Sequence, residues 1–270
     1  MMSIRRSLIV AALAASFAAA CFSLGVWHAH QRLEGRIAQA LAAHSTMMTD
    51  VGERLQSEMG RLQSEMGLMP ISMLRDRRKS FVEVNAYDES GAMHYSTAGY
   101  LGSGHFITVK HGVMALSELS RPITSITVLY NGKPLDAVVV DTGSADTELH
   151  PGDWAIIKVD EDIDLPPLIV DTTYPYLFAA PIVRLGNDYS RGIILSSGYI
   201  GQRTSNGLVT SLTDGHPGVS GGGVLDQEGD LVGIPIGRME ADYRFSFILP
   251  VRPEMFRNVP TLSAGMAGID

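Results

Sequence analysis

The spacing of apolar residues changes twice along this chain, and each change predicts a different kind of element. From Leu8 to Trp27 no residue is charged. These 20 residues would form a helix of about 30 Å, the thickness of a bilayer core, so the run predicts a membrane-spanning helix. From His28 onward the spacing turns amphipathic. Leu41, Met48, Leu55, Leu62 and Met69 recur every seven residues, and RLQSEMG stands twice in tandem at 54–60 and 61–67. A seven-residue apolar repeat lays one stripe along a helix and predicts a stalk able to pair with a second copy. Glu58 and Glu65 fall on the second seam, and Gly52, Gly60 and Gly67 each cost about 1 kcal/mol against alanine. A loosely helical spacer is therefore an equal alternative. Pro70 ends the segment, and Arg75–Lys79 reads as a solvated basic linker.

After Ser80 the repeat gives way to short β-branched or alternating runs: 81–85, 105–109, 123–130, 136–141, 154–159, 192–200, 207–212, 222–225, 231–236 and 244–249. Turn signals separate them, among them Asn131-Gly132, Pro151-Gly152, Asn206-Gly207 and Gly229-Asp230. Many short strands with little helical periodicity predict an all-β fold of antiparallel strands in two packed, barrel-like sheets, with any helix at the C-terminal end. The expected organisation is a cytoplasmic N-terminus (1–7), a signal-anchor helix (8–27), a stalk and linker (28–79), a β domain (80–260) and a tail (261–270).

Charge and composition narrow the partners. Net charge is −8, with no long basic run, so nucleic acid is not an expected partner. Cys21 is the only cysteine, which excludes an intrachain disulfide and thiolate metal sites. Arg5 and Arg6 before the apolar run keep the N-terminus cytoplasmic and send the rest outward. The chain is thus expected to cross a membrane once, with its β domain exported from the cytoplasm. Two rival readings are a signal peptide cut after Ala18-Ala19-Ala20 and a lipid attached at Cys21. The apolar run continues through Phe22, Leu24, Val26 and Trp27, which favours the uncut anchor.

Three stretches carry candidate chemistry. GSGHFITVKHGV, 102–113, delivers His111 at the end of an apolar strand. In AVVVD…GDWAIIKVD, 137–160, Asp153 opens a buried strand, where a carboxylate needs a hydrogen-bond donor such as an imidazole N–H. DGHPGVSGGGVLDQEGDLVGI, 214–234, sets Ser220 among glycines, so the amides of Gly218 and Ser220 can converge on one developing oxygen charge. Alone, each has a plain structural reading: a surface histidine, a turn aspartate, a flexible glycine loop.

Together, in the order His, Asp, Ser within a β domain, they resemble the trypsin-like serine peptidases. The bacterial HtrA/Deg envelope branch is the most similar. Gly102–Val113 resembles its G-S-G-F-x-x-T-x-x-H-V, and Asp153–Val159 its D-L-A-x-L-K-V. Gly186–Gly198, Thr213–Ile234 and Phe245–Pro250 (FSFILP) are similar to later segments of that family. The resemblance implies two six-stranded antiparallel barrels of the chymotrypsin type and a serine endopeptidase acting on protein or peptide substrates. His111, Asp153 and Ser220 would be its triad, Gly218 and Ser220 its oxyanion hole, and neither cofactor nor metal would be needed. It also places Asp214, His216, Ile236 and Gly237 at the substrate pocket, where Asp214 would favour a basic side chain or pair with His216 or Arg238. A role in envelope protein quality control or processing follows from the same likeness.

The sequence departs from the family in several places. Val219 stands where the branch has Asn and trypsins have Asp, the loop from Asp214 to Gly218 is short, and Lys110 precedes His111. No PDZ-like segment is expected after Pro260. These departures motivate an alternative, a catalytically silent trypsin-like domain acting as a membrane-tethered binding or scaffold module. A metal-binding protein using His28, His30, His94, His105 and His111 is the weakest reading, because neither a His-Glu-x-x-His motif nor cysteine ligands accompany them.

Overall fold

The computed structural model describes residues 2–65, 69–117, 121–188, 191–239 and 242–262, except for the side chains of 2–12, 14, 15, 64, 242 and 243. One continuous helix, α1 (Met2–Glu65), covers the expected anchor and most of the stalk. Its described side chains are exposed throughout, including the stripe at Leu41, Met48, Leu55 and Leu62. Among the described residues no helix is long and apolar enough to cross a membrane. Much of the apolar run (8–12, 14 and 15) lies outside the described side chains, and Gly67 lies outside the described residues.

The stalk ends earlier than its heptads suggest. Met69, the last of the sevenfold series, is buried in the core of the β domain. The basic stretch is exposed at Arg75, Asp76, Arg78 and Lys79, as a solvated segment would be, but it is helical rather than an open linker. It forms α2 (Ile71–Arg78), whose Met73 and Leu74 pack on that core. Arg77 faces Asp230 at 3.7 Å, and Arg78 Nε donates to the Ile193 carbonyl at 2.7 Å. The order of ISMLRDRR, with apolar residues first and basic ones after, lets one short helix do both.

Among the described residues twelve strands then form two closed antiparallel barrels, as expected. The first comprises β1 (Phe81–Asp88), β2 (Met93–Gly102), β3 (His105–Thr108), β4 (Ile123–Tyr130), β5 (Lys133–Thr142) and β6 (Ala155–Val159), in the order β1-β2-β3-β6-β5-β4. The second comprises β7 (Pro181–Asn187), β8 (Ile193–Arg203), β9 (Val209–Leu212), β10 (Gly223–Leu225), β11 (Leu231–Met239) and β12 (Asp242–Pro250), in the order β10-β11-β12-β9-β8-β7.

Alternating side chains sort into three apolar clusters. Ala155, Ile157 and Val159 of β6 join Val84, Phe106 and Val128 inside the first barrel. Ile182, Val224, Val232 and Ile248 fill the second. Ile107, Ile156, Leu185, Ile234 and Leu249 belong to a third cluster drawn from both barrels, which holds them together. Helical turns are not confined to the C-terminal end: a single 3₁₀ turn, Lys110–Gly112, sits in the first barrel directly after β3. The tail begins docked, with Thr261 Oγ1 donating to the Leu101 carbonyl at 2.7 Å.

Candidate active site

His111 occupies that 3₁₀ turn rather than a strand end or open loop. Gly112 next to it lies so close to Ser96 that a Cβ would come within 2.8 Å of the serine oxygen. Asp153, two residues before β6, is 0% exposed. Its Oδ2 accepts from His111 Nδ1 at 2.6 Å and its Oδ1 from the His111 backbone N–H at 3.0 Å. Both carboxylate oxygens are thus satisfied by one residue, which fixes the ring orientation and leaves Nε2 as the outward nitrogen. Lys110, unusual in sequence, has a structural task. Its Nζ donates to the carbonyls of Gly143 (3.1 Å) and Ala145 (2.7 Å), tying down the loop that leads to Asp153.

Ser220 comes from the other barrel. The loop before β10 is pinned by Thr97 of β2, which is 0% exposed. Thr97 Oγ1 donates to the Gly218 carbonyl at 2.7 Å and accepts from the Asn187 amide at 2.7 Å, while the Thr97 amide donates to the Ser220 carbonyl at 2.9 Å. Gly221, at φ +82°, lies where a Cβ would be 2.3 Å from Thr108 Oγ1, and its amide donates to the Pro235 carbonyl at 2.9 Å. Among the described residues the amides of Gly218 and Ser220 donate to no protein group, as an oxyanion site requires.

His111 and Ser220 line one cleft of about 360 Å³ between the barrels, together with Glu148, Leu149, His216, Ile236, Gly237 and Ser246. The described hydrogen bonds of the His111 ring run to Asp153, and none closes onto Ser220 Oγ. Burial lowers the His111 pKa, but the hydrogen bond and charge of Asp153, with the charge of Glu148, outweigh it and hold the imidazole above its ordinary value.

Of the expected pocket residues, His216, Ile236 and Gly237 line the cleft, and Asp214 does not. Gly215 takes that wall instead, wedged so that a Cβ would be 2.9 Å from both Arg238 Cβ and Ser246 Oγ, and Asp214 is exposed. Arg238 Nη1 donates to the Gly215 carbonyl at 3.2 Å, so the pairing of Arg238 with this loop goes through Gly215. Behind the loop, Arg184 of β7 is buried. Burial pulls its pKa down to about 10 against the charges of Asp188 and Asp214. Thr97, Glu148, Leu149, Arg184 and Ser246 were not singled out by sequence. Only Thr97 had a usable signal, as a β-branched residue within the small-residue run Ser96–Gly99. The candidate metal histidines stay apart: His105 Nδ1 contacts the Ser103 carbonyl, His30 pairs with Glu34 and His94 with Asp88. No group of three or more His, Cys, Asp or Glu gathers among the described residues.

Two closed six-stranded barrels, with a His–Asp pair on one and a glycine-flanked serine on the other, define a chymotrypsin-like fold. The trypsin-like peptidase domain family matches residues 90–234, more than half of the chain. The chain belongs to that family, and by class it is a serine endopeptidase, a hydrolase. Solved structures resemble it at low identity. The Rv3671c protease from M. tuberculosis, in its active form, is 21% identical, with 66% of this chain and 79% of that one covered and a TM-score of 0.57. The serine endoprotease from Yersinia pestis is 19% identical, with 72% and 66% covered and a TM-score of 0.57. The HtrA-type protease AlgW with a tripeptide is 16% identical, with 72% and 63% covered and a TM-score of 0.58. At such identities the likeness is one of fold. No curated protein matches the sequence.

Proposed function

We propose that the chain is a membrane-anchored endopeptidase that hydrolyses peptide bonds of envelope proteins through His111, Asp153 and Ser220. The observation that carries this reading is the 2.6 Å bond from His111 Nδ1 to the fully buried Asp153, beside a cleft that Ser220 also lines. Ser220 Oγ attacks the substrate carbonyl as His111 Nε2 takes its proton. Asp153 keeps the proton of the neutral ring on Nδ1 and stabilises the imidazolium that forms. The Gly218 and Ser220 amides receive the oxyanion, each such donor contributing about 3 kcal/mol to the transition state. His111 then protonates the leaving amine, and water resolves the acyl-enzyme by the same path in reverse. The cleft next to His111 takes a peptide, as the tripeptide bound to the HtrA-type neighbour illustrates for that protein.

The uncharged run 8–27 behind Arg5 and Arg6 supports an inner-membrane anchor with the peptidase domain in the periplasm. The exposed heptad stripe of α1 supports pairing with a second copy, which cross-linking of the full chain reads; a monomer-only pattern removes it. The joint test is casein digestion by alkali-washed membranes that carry the full chain. Wild type and Ser220→Ala should both stay in the membrane fraction, and only wild type should digest casein. Equal digestion by both removes Ser220 from its role, recovery of the chain in the wash removes the anchor, and no digestion by either favours the silent binding module.

A further inference from the structure

One buried charge has no place in the mechanism above. Arg184 sits within β7 between Ser196 of β8 and Val224 of β10 and is 1% exposed, and its Nε and Nη1 have no hydrogen-bond partner. A guanidinium with open donors is costly to bury unless some state of the protein pairs it. Alternation puts Arg184 on the same face of β7 as Gly186, where a Cβ would lie 3.2 Å from Val219 Cα. That face carries the loop holding Ser220.

The loop is unevenly held. Thr97 grips Gly218 and Ser220, whereas Asp214 and Pro217 are exposed, and the turn closing the segment is a long bond of 3.3 Å from the Val219 amide to the His216 carbonyl. Val219 is buried and apolar, so the residue beside the nucleophile supplies no polar anchor. Of the nearby charges Asp188 acts on Arg184 most strongly, and its own Oδ1 is buried without a hydrogen-bond partner, but it follows β7 directly and lies outside the Ser220 loop. Asp214 acts on Arg184 as well, and it opens that loop.

We propose that Arg184 is a positioning residue for the nucleophile: its buried guanidinium is the counter-charge onto which Asp214 closes, drawing segment 214–220 into the form in which Ser220 reaches His111. The inference rests on the triad reading. In the closed form the carboxylate accepts from the two open donors, and the observed open His111–Ser220 pair belongs to the unlatched form.

The test is the rate at which a fluorophosphonate labels Ser220 in the full chain, with kcat and KM for a peptide alongside. Asp214→Asn and Arg184→Met should each slow labelling about tenfold, through kcat rather than KM. The double variant should be no slower than either single one, because both remove the same pair. Arg184→Lys, which keeps the charge, should retain more of the rate than Arg184→Met. Asp214 is exposed, so Asp214→Asn should melt at the wild-type temperature. Wild-type labelling in Asp214→Asn, losses that multiply in the double variant, or the same loss from Asp188→Asn alone would each overturn the latch. Should Arg184→Met fail to fold, Asp214→Asn decides by itself. A wild-type chain that is not labelled at all removes the triad reading, and the latch with it.

Discussion

His111 is held by two opposing influences, and their balance sets the pH at which the proposed base works. Burial disfavours the imidazolium, while Asp153 and Glu148 favour it and win. Activity requires neutral His111, so kcat/KM should fall with acid around a midpoint above the ordinary imidazole value of about 6.5. Glu148→Gln removes one of the favouring charges and should lower that midpoint; an unchanged pH profile would remove Glu148 from the balance. Fold stability runs the other way. The raised value stabilises the native state fully below the unfolded pKa, and that contribution fades as pH rises through the folded one. The residues of the proposed triad stood out in the sequence because their types and order are distinctive, and the structure brings His111 and Asp153 into contact beside a cleft that Ser220 also lines. Asp214 does not line the cleft, because a place six residues before Ser220 does not say which way the side chain turns. Wedged Gly215 turned the wall over to other residues.

Among the elements, ten of the twelve strands were anticipated, and the two missed ones hold the site together. β2 contains Ser96, Thr97, Ala98 and Gly99, too small for a β signal. Small residues are required there because Leu168 and Phe81 occupy the space a Cβ on Gly99 would take. β7 opens on Pro181 and carries buried Arg184, and both obscure a strand by propensity. Thr97 bridges β2, β7 and the Ser220 loop, so Thr97→Val should leave the Gly218 carbonyl and the Asn187 amide unpaired. Two such losses should cost about 2–4 kcal/mol in urea unfolding and lower kcat as Gly218 shifts. Unchanged stability and kcat would mean that the loop is held elsewhere.

For the molecule as a whole, the division into helix and β domain followed from the spacing of apolar residues. Its boundary did not, because Met69 continues the sevenfold register yet packs into the peptidase core, and α2 packs with it. The two barrels each bring a loop to a shared cleft, His111 with Asp153 behind it from the first and Ser220 from the second. Mapping the adduct formed by a fluorophosphonate on the full chain tests that convergence most directly. A single adduct on Ser220, abolished by His111→Ala, is the predicted result. An adduct on another residue, or one that survives His111→Ala at the wild-type rate, would contradict it.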